Sequence, residues 1–460
     1  MKMQLSEIAR ALGTDEYPEL WNDISVTSVQ FDSRKLSPGS LFVPIMGERD
    51  GHDFISQAVT AGAVATLWAE DHQERRPADL PSILVKNPLE ALQKLAKYYL
   101  DKINPKVVAI TGSNGKTTTK DMTAAVLEVE YNVVKTKTNF NNELGVPITI
   151  LGMSSNTEVL VVEMGMDRPG QLHFLSELVQ PDIAVITMIG EAHIEFFKTR
   201  ERIADAKMEI TDGLKEDGCF VFNGDEPLLE QRAKDLNVEQ YRFGLKADND
   251  VSASDIQGTD TSTMFKTNLD EETTVTIPVL GDYNVTNALA AIAVGHKYHI
   301  DLKKEAEALV DFDLTKNRTE WLTGKKGERI LSDVYNSNPT AARAVLDSFA
   351  NVNTEGRRLV VLGDMLELGE NADQMHASLA EKLNAKRFAQ VYLIGPHMKA
   401  LEKRLIDEDI YSKDAVHYYE TGELKRLTDD LSTEIQANDS ILLKASHGIH
   451  LENVVDKIKN

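Results

Sequence analysis

The chain has 460 residues, too many for a single hydrophobic core, and about three domains are expected. Its 42% hydrophobic and 27% charged residues are those of a globular protein, and no apolar run approaches the roughly 18 residues of a membrane span. Lys+Arg 50 against Asp+Glu 73 gives a net charge of −23, which argues against a nucleic-acid or anionic-membrane surface, and the single Cys219 excludes an internal disulfide or a cysteine-rich zinc site.

The first residues, MKMQLSEIARALG, have neither a long apolar core nor a small-residue cleavage site, so a reduced, cytoplasmic enzyme without a signal peptide is expected. Residues 1–103 read as a separate small α/β unit. Within it Asp32-Ser33-Arg34 is, taken alone, a turn with an ion pair, although an Arg fork also matches a carboxylate or phosphate. Leu41, Phe42 and Val43 predict a strand opening into the polar loop 47–52, GERDGH. Residues 75–77 read as a solvated loop, 91–100 as an amphipathic helix and 101–105 as a linker.

Residues 107–120, VVAITGSNGKTTTK, are the pivot of the chain. A short apolar strand, a glycine turn and a helix start bring backbone N–H groups and a helix dipole to one point, which suits a triphosphate. Gly112 and Gly115 let the main chain approach phosphates, with Ser113 and Asn114 between them. Lys116 supplies charge to the β/γ oxygens, the Thr117 hydroxyl can join a Mg²⁺ shell, and Thr118 follows in the first helical turn. Met122, Ala125, Val126 and Val129 are predicted to form the buried face of that helix. The general phosphate-loop spacing wants a glycine where Ile110 stands, so the loop is shortened.

Further along, Asn139, Asn141 and Asn142 offer amide partners to a ligand, or form an Asx-rich turn. Residues 159–163, VLVVE, predict a strand ending in Glu163, where a parallel sheet binds ligands and an oxygen suits Mg²⁺. Residues 182–189 predict a strand running toward His193, whose imidazole is not the ligand that hard-ion chemistry alone selects for Mg²⁺. A helix follows with Ile203, Ala206 and Ile210 inward; on sequence alone its Lys207 is a solvated lysine. Residues 251–279 read as an antiparallel excursion of this domain. Asn284 and Asn287, three apart at the start of a helix, could read an adenine edge or simply cap a core helix. Residues 316–320, KNRTE, mark a joint containing Arg318. Residues 333–340, DVYNSNPT, follow. After them the strand–loop–helix units at 359–369, 391–395 and 441–455 predict a small Rossmann-like domain. Asp364, Met365 and Glu367 follow its first strand and Lys444 and Ser446 its last.

The shortened loop Thr-Gly-Ser-Asn-Gly-Lys-Thr-Thr resembles that of the Mur ligase superfamily, ATP-dependent amide-bond-forming ligases of peptidoglycan assembly, with folylpolyglutamate synthases as relatives. GERDGHDFI and DVYNSNP resemble the branch that adds D-alanyl-D-alanine to UDP-N-acetylmuramoyl-tripeptide. The resemblance implies an α/β protein of three domains: a small UDP-substrate-binding domain (1–103), a central P-loop ATPase domain with a mostly parallel sheet (104–315), and a C-terminal Rossmann-like domain (316–460). It implies that Ser33, Arg34, Asn139, Asn141 and Asn142 bind substrate. ATP would be held by residues 112–118 with Asn284, Asn287, Arg318, Asp333, Tyr335 and Asn336. Mg²⁺ would be held by Thr117, Glu163, His193 and Lys207, the last bearing a CO₂-derived carbamate. Lys116, Lys207, His193 and Arg318 would serve catalysis, Asp364, Met365, Glu367, Lys444 and Ser446 would line the incoming amine's pocket, and the enzyme would be a monomer. The sequence departs from the family's pattern at Thr138, at Phe197-Lys198-Thr199, at Tyr283 and at Ala445. Two other readings stay open: a folylpolyglutamate-synthase-like ligase, and a regulatory protein that uses ATP as a switch.

Overall fold

The computed structural model describes residues 1–14 and 17–460. Near the N-terminus, strands Ser28–Gln30, Ser40–Phe42, Ala63–Ala69 and Ser82–Val85 form a four-stranded parallel sheet in chain order. Helix Pro88–Ile103 follows. Asn87 caps it by accepting the N–H groups of Leu89 and Glu90, proline occupies its first turn, and it ends on Asn104 in the left-handed conformation. These signals carry the helix three residues beyond the predicted stretch at each end, through most of the expected linker. Leu92, Leu95 and Tyr99 on its buried face share one core with Val146 and Ile150 of helix Gly145–Leu151, and the Tyr99 hydroxyl donates to Met153 O at 2.9 Å. The first unit is thereby joined to the next through continuous apolar packing.

The central sheet has nine strands, ordered Asp270–Ile277, Thr263–Thr267, Val251–Gly258, Glu239–Gly244, Cys219–Asn223, Ile183–Ile186, Lys106–Thr111, Val159–Glu163 and Val133–Lys135. From Val251–Gly258 onward neighbours are parallel; the first two strands are the antiparallel excursion. The central strands are buried on both faces, which is why their sequences are unbroken apolar runs. Register places Ile110 opposite Glu163 and Thr111 opposite Ile186. The carboxyl ends of three neighbouring strands therefore align, and everything after them gathers at one edge of the sheet.

Helix Lys116–Glu128 lies between this sheet and helix Asp282–Lys297, so nearly all its residues are buried and the expected single stripe is too narrow a description. Val129 is exposed just past its end, and Ala125 is half-buried. Cys219 opens an inner strand, and burial pushes its thiol up to about 12. The last sheet has six strands, ordered Glu320–Thr323, Arg329–Asp333, Ser440–Lys444, Arg358–Gly363, Gln390–Ile394 and Val416–Tyr419, all parallel but the first. Among the described residues no helix is long and apolar enough to cross a membrane.

Candidate active site

The loop after strand Lys106–Thr111 turns on two glycines. Gly112 has φ 154° and Gly115 φ 80°, and a Cβ would lie 1.8 Å from Thr187 Oγ1 at the first and 2.2 Å from Asn287 Oδ1 at the second. Neither position has room for a side chain. The Thr187 hydroxyl donates to Asn114 O at 2.5 Å and Ser113 N–H to Met188 O at 2.9 Å. Asn287 Nδ2 donates to Asn284 Oδ1 at 3.0 Å, Asn284 Nδ2 to Leu280 O, and Thr119 Oγ1 to Asn287 Oδ1. The two asparagines thus form a hydrogen-bonded floor under the loop, with both ends of the Asn287 amide engaged.

Lys116 folds back so that Nζ donates to Gly112 O at 2.8 Å. Burial lowers its pKa, with the Glu163 charge opposing and the Arg318 charge adding. Glu163 ends its strand almost wholly buried; Oε1 accepts Asn141 Nδ2 at 2.9 Å, while Oε2 is buried with no hydrogen-bond partner. An unpartnered buried carboxylate oxygen is costly unless something cationic meets it. Lys207, expected on sequence alone to be solvated, is 3% exposed and has no carboxylate within 4 Å among the described residues. Burial and then the charge of Lys116 push its pKa well below the usual lysine range. The Thr117 and Thr118 side chains are buried in the first turn of the helix.

Strand Ile183–Ile186 is shorter than the predicted 182–189, and an irregular segment carries the chain to His193, which is left-handed at φ 63° before the short helix Ile194–Phe197. His193 Nδ1 lies 2.5 Å from Glu367 Oε2 without hydrogen-bond alignment, so its nearest acidic partner comes from the C-terminal sheet's loops. The one group of three His, Cys, Asp or Glu ligand atoms within 4.8 Å of one another, among the described residues, is Asp50, His52 and His72. That group is already neutralised: Arg75, read as solvated, pairs with Asp50 at 2.5 Å and with Asp53 at 2.8 Å.

From the C-terminal unit, Arg318, Asp333 and Asn336 line a cavity of about 220 Å³ together with Asn114, Gly115, Thr118, Asn284 and Asn287. Arg318 stacks its guanidinium 4.1 Å from the Tyr335 ring centroid, and its Nε is buried without a partner. Burial raises the Tyr335 phenol. Lys444, 2% exposed, donates to Asp333 Oδ2 at 2.5 Å and to Asn336 O at 3.1 Å.

Other residues are committed elsewhere. Asn142 Oδ1 accepts the N–H groups of Leu144 and Gly145 and holds the turn that enters helix Gly145–Leu151. Asn139 is exposed. Arg34 lies 85% exposed, its guanidinium forked onto Asp32 at 2.9 Å, and Ser33 Oγ donates to Gln57. The turn reading of this triplet holds locally. Lys35, the next residue, sits 5.4 Å from the Phe140 ring, which sets the turn beside the 136–143 loop. Asp364 and Met365, expected beside an incoming amine, are buried; the Asp364 carboxylate accepts the N–H groups of His397 and Met398 and supports a turn. Ser446 Oγ likewise accepts Leu366 N–H.

Family models match three consecutive segments: "Mur ligase family, catalytic domain" at residues 25–100, "Mur ligase middle domain" at 110–295, and "Mur ligase, glutamate ligase domain" at 317–447. A Bacillus subtilis protein named UDP-N-acetylmuramoyl-tripeptide–D-alanyl-D-alanine ligase is 40% identical over 99% of this chain and 98% of its own. The chain belongs to the Mur ligase family. Among solved Mur ligases, MurF from Acinetobacter baumannii has a TM-score of 0.84 at 26% identity, covering 99% of this chain and 98% of that one. MurF ligase from Thermotoga maritima in complex with ADP has a TM-score of 0.78 at 30% identity, covering 94% and 97%. Sequence reasoning for a Mur ligase site passed over Thr187, Lys120 and Asp121. Nothing local marks Thr187 or Asp121, because each acts on a segment distant in the chain, and Lys120 only pairs with its neighbour Asp121. The turn held by Asn142 did have a signal, an asparagine just before a short apolar helix.

Proposed function

We propose that this Mur ligase joins D-alanyl-D-alanine to UDP-N-acetylmuramoyl-tripeptide, converting ATP to ADP and phosphate, in cytoplasmic assembly of peptidoglycan precursors. The observation that carries the reading is the convergence of the phosphate loop with an unpartnered buried carboxylate oxygen on Glu163 and a buried Lys207 that has no ion-pair partner among the described residues. A switch protein has no need of such a set. The names of the Bacillus subtilis relative and of the Thermotoga maritima ADP complex support the substrates and the nucleotide.

In this reading residues 1–103 bind the UDP-substrate, 104–315 bind ATP and 316–460 close over it. Ser33 and Arg34 meet the acidic end of the UDP-substrate, with Asn139, Asn141 and the free amide nitrogen of Asn142 beside the peptide. The backbone of residues 112–118 cradles the phosphates, Lys116 leaves Gly112 O for the γ-phosphoryl oxygens, and Arg318 approaches from the opposite side. Asp333, held by Lys444, takes the ribose hydroxyls, with Tyr335 and Asn336 at the base; Asn284 and Asn287 hold the loop in place. The peptide carboxylate attacks the γ-phosphorus and ADP leaves. The amine of the dipeptide then attacks the acyl phosphate carbon and phosphate departs.

The donors present fit Mg²⁺: Thr117 Oγ1, Glu163 Oε2 and His193 would hold it, together with an oxygen donor on Lys207. Bound there, Mg²⁺ neutralises phosphoryl charge. An ammonium cannot ligate a cation; burial disfavours the charged form of Lys207, and the nitrogen of its neutral amine can bond to the carbon of CO₂ and release a proton to give a carbamate. All these residues lie in one chain, so a monomer suffices.

Phosphate release from ATP by wild type and Lys207→Ala, with both substrates and with bicarbonate added or removed, tests this. Wild type should need both substrates, and the variant should lose at least about a hundredfold, with partial rescue by a short carboxylic acid. Turnover without substrates, or an indifferent variant, would overturn the assignment.

A further inference from the structure

Asn114 sits at the crest of the phosphate loop, yet its side chain faces the C-terminal domain. Its Nδ2 donates to Asn338 Oδ1 at 3.2 Å and its Oδ1 accepts Asn338 Nδ2 at 2.7 Å. The two carboxamides form a closed reciprocal pair across 224 residues of chain. Asn338 is 1% exposed and is also the N-cap of helix Pro339–Ala350, its Oδ1 accepting Ala341 N–H at 3.0 Å. Two residues along, Thr340 Oγ1 donates to Glu191 Oε2 at 2.6 Å, so the same helix start also grips the segment leading to His193.

Capping alone does not call for asparagine here, since serine, threonine and aspartate cap as well. Among these capping side chains only the carboxamide sets its donor and its acceptor on separate atoms, as a closed two-bond pair with a second carboxamide requires. On the loop side, the Asn114 carbonyl is fixed by Thr187 and Gly115 rests on Asn287, so force on the Asn114 side chain passes to the phosphate-binding backbone. The cavity between the two domains is lined by Asn114 and Gly115 on one wall and by Arg318, Asp333 and Asn336 on the other. A nucleotide held there touches both walls.

We propose that Asn338 is a positioning residue which, through its amide pair with Asn114, couples closure of the C-terminal domain to nucleotide binding at the phosphate loop. The proposal rests on the reading of that loop as the ATP site. Without the pair the closed arrangement loses two partly buried hydrogen bonds, and the fraction of molecules ready for nucleotide falls.

The test is ADP affinity by calorimetry, with thermal midpoints and radius of gyration by X-ray scattering, for wild type, Asn338→Ser, Asn114→Ser and the double variant. Serine keeps the helix cap but is too short to reach Asn114. Asn338→Ser should therefore hold its thermal midpoint within about 2 °C while ADP binds about tenfold more weakly and compaction on ADP addition shrinks. Asn338→Asp, which keeps the cap but sets a carboxylate against Asn114 Oδ1, should lose more. The double variant should be no worse than the worse single, as for two ends of one contact. Asn338→Ser binding ADP and compacting like wild type, or single effects that multiply in the double, would overturn the coupling alone. Wild type that binds no ADP would overturn the ATP-site reading and the coupling together.

Discussion

Asp121 is 1% exposed and uses both carboxylate oxygens. Oδ1 meets Lys120 Nζ at 3.2 Å and Lys135 Nζ at 3.0 Å, and Oδ2 accepts the N–H and hydroxyl of Thr315 at 3.1 and 2.7 Å. It ties the phosphate-loop helix to the residues just before Arg318. Asp121→Ala leaves the Lys120 ammonium buried and unpaired, a cost of roughly 3–5 kcal/mol, and should lower the urea midpoint accordingly. Asp121→Asn keeps the Thr315 contact and should cost less; equal losses would mean that charge is not what matters there. Sequence could reach Lys116, Thr117 and Glu163, because a strand end and a glycine turn fix where such side chains point. It could not reach Asp121, whose partners other than Lys120 come from elsewhere in the chain. For the same reason Lys207 reads as solvated from its own helix, although the fold buries it within reach of the Lys116 charge.

Helix Leu302–Val310 carries its own anomaly. Glu305 packs against Gly295, where a Cβ would lie 2.0 Å from Oε1, and both carboxylate oxygens are buried without hydrogen bonds. Burial raises its pKa from 4.5 to about 8, with Asp301 adding to the effect. The folded state thus holds this proton where the unfolded chain has released it. Stability from this group is complete below about pH 4.5 and lost as pH rises through about 8, by at most roughly 4–5 kcal/mol. Glu305→Gln should flatten the wild-type fall in unfolding free energy between pH 5 and 8; an unchanged slope would assign that fall to other groups. Elements were the most legible level of this chain. Short apolar runs such as VLVVE read as buried strands, and the Thr- and Ser-rich residues 251–279 read as an antiparallel excursion. Ends were less legible: the cap at Asn87 extends one helix, while the strand before His193 stops at Ile186 once its neighbour is no longer paired.

Between the central and C-terminal domains the contacts cluster around a short joint. Arg318 stands between two left-handed residues, Asn317 at φ 61° and Thr319 at φ 51°. The antiparallel excursion reaches across at Asp260, whose carbonyl accepts Arg329 NH2 at 3.0 Å, whose Oδ1 accepts Asn353 N–H at 3.1 Å, and whose Oδ2 lies 3.7 Å from Arg329. Arg329 is braced on Trp321, 4.5 Å from the ring centroid. Asp260→Lys sets like charges together here and should lower phosphate-release turnover roughly three- to tenfold, with recovery on adding Arg329→Asp. No effect, or no recovery, would show that the tip is a passive contact. Contacts at this scale join residues as far as 224 positions apart, so local patterns cannot reveal them; only the order of the three units was legible, from the patterns of residues 1–103 and 359–455 on either side of the phosphate-loop domain. The inner strand that begins at Cys219 has a consequence of a different kind. Its thiol, dry and far from ionised, is reached by a soluble alkylating reagent only when the nine-stranded sheet parts, so the native chain keeps its own clock: each modification counts one opening, and a ligand that knits the domains together slows the count.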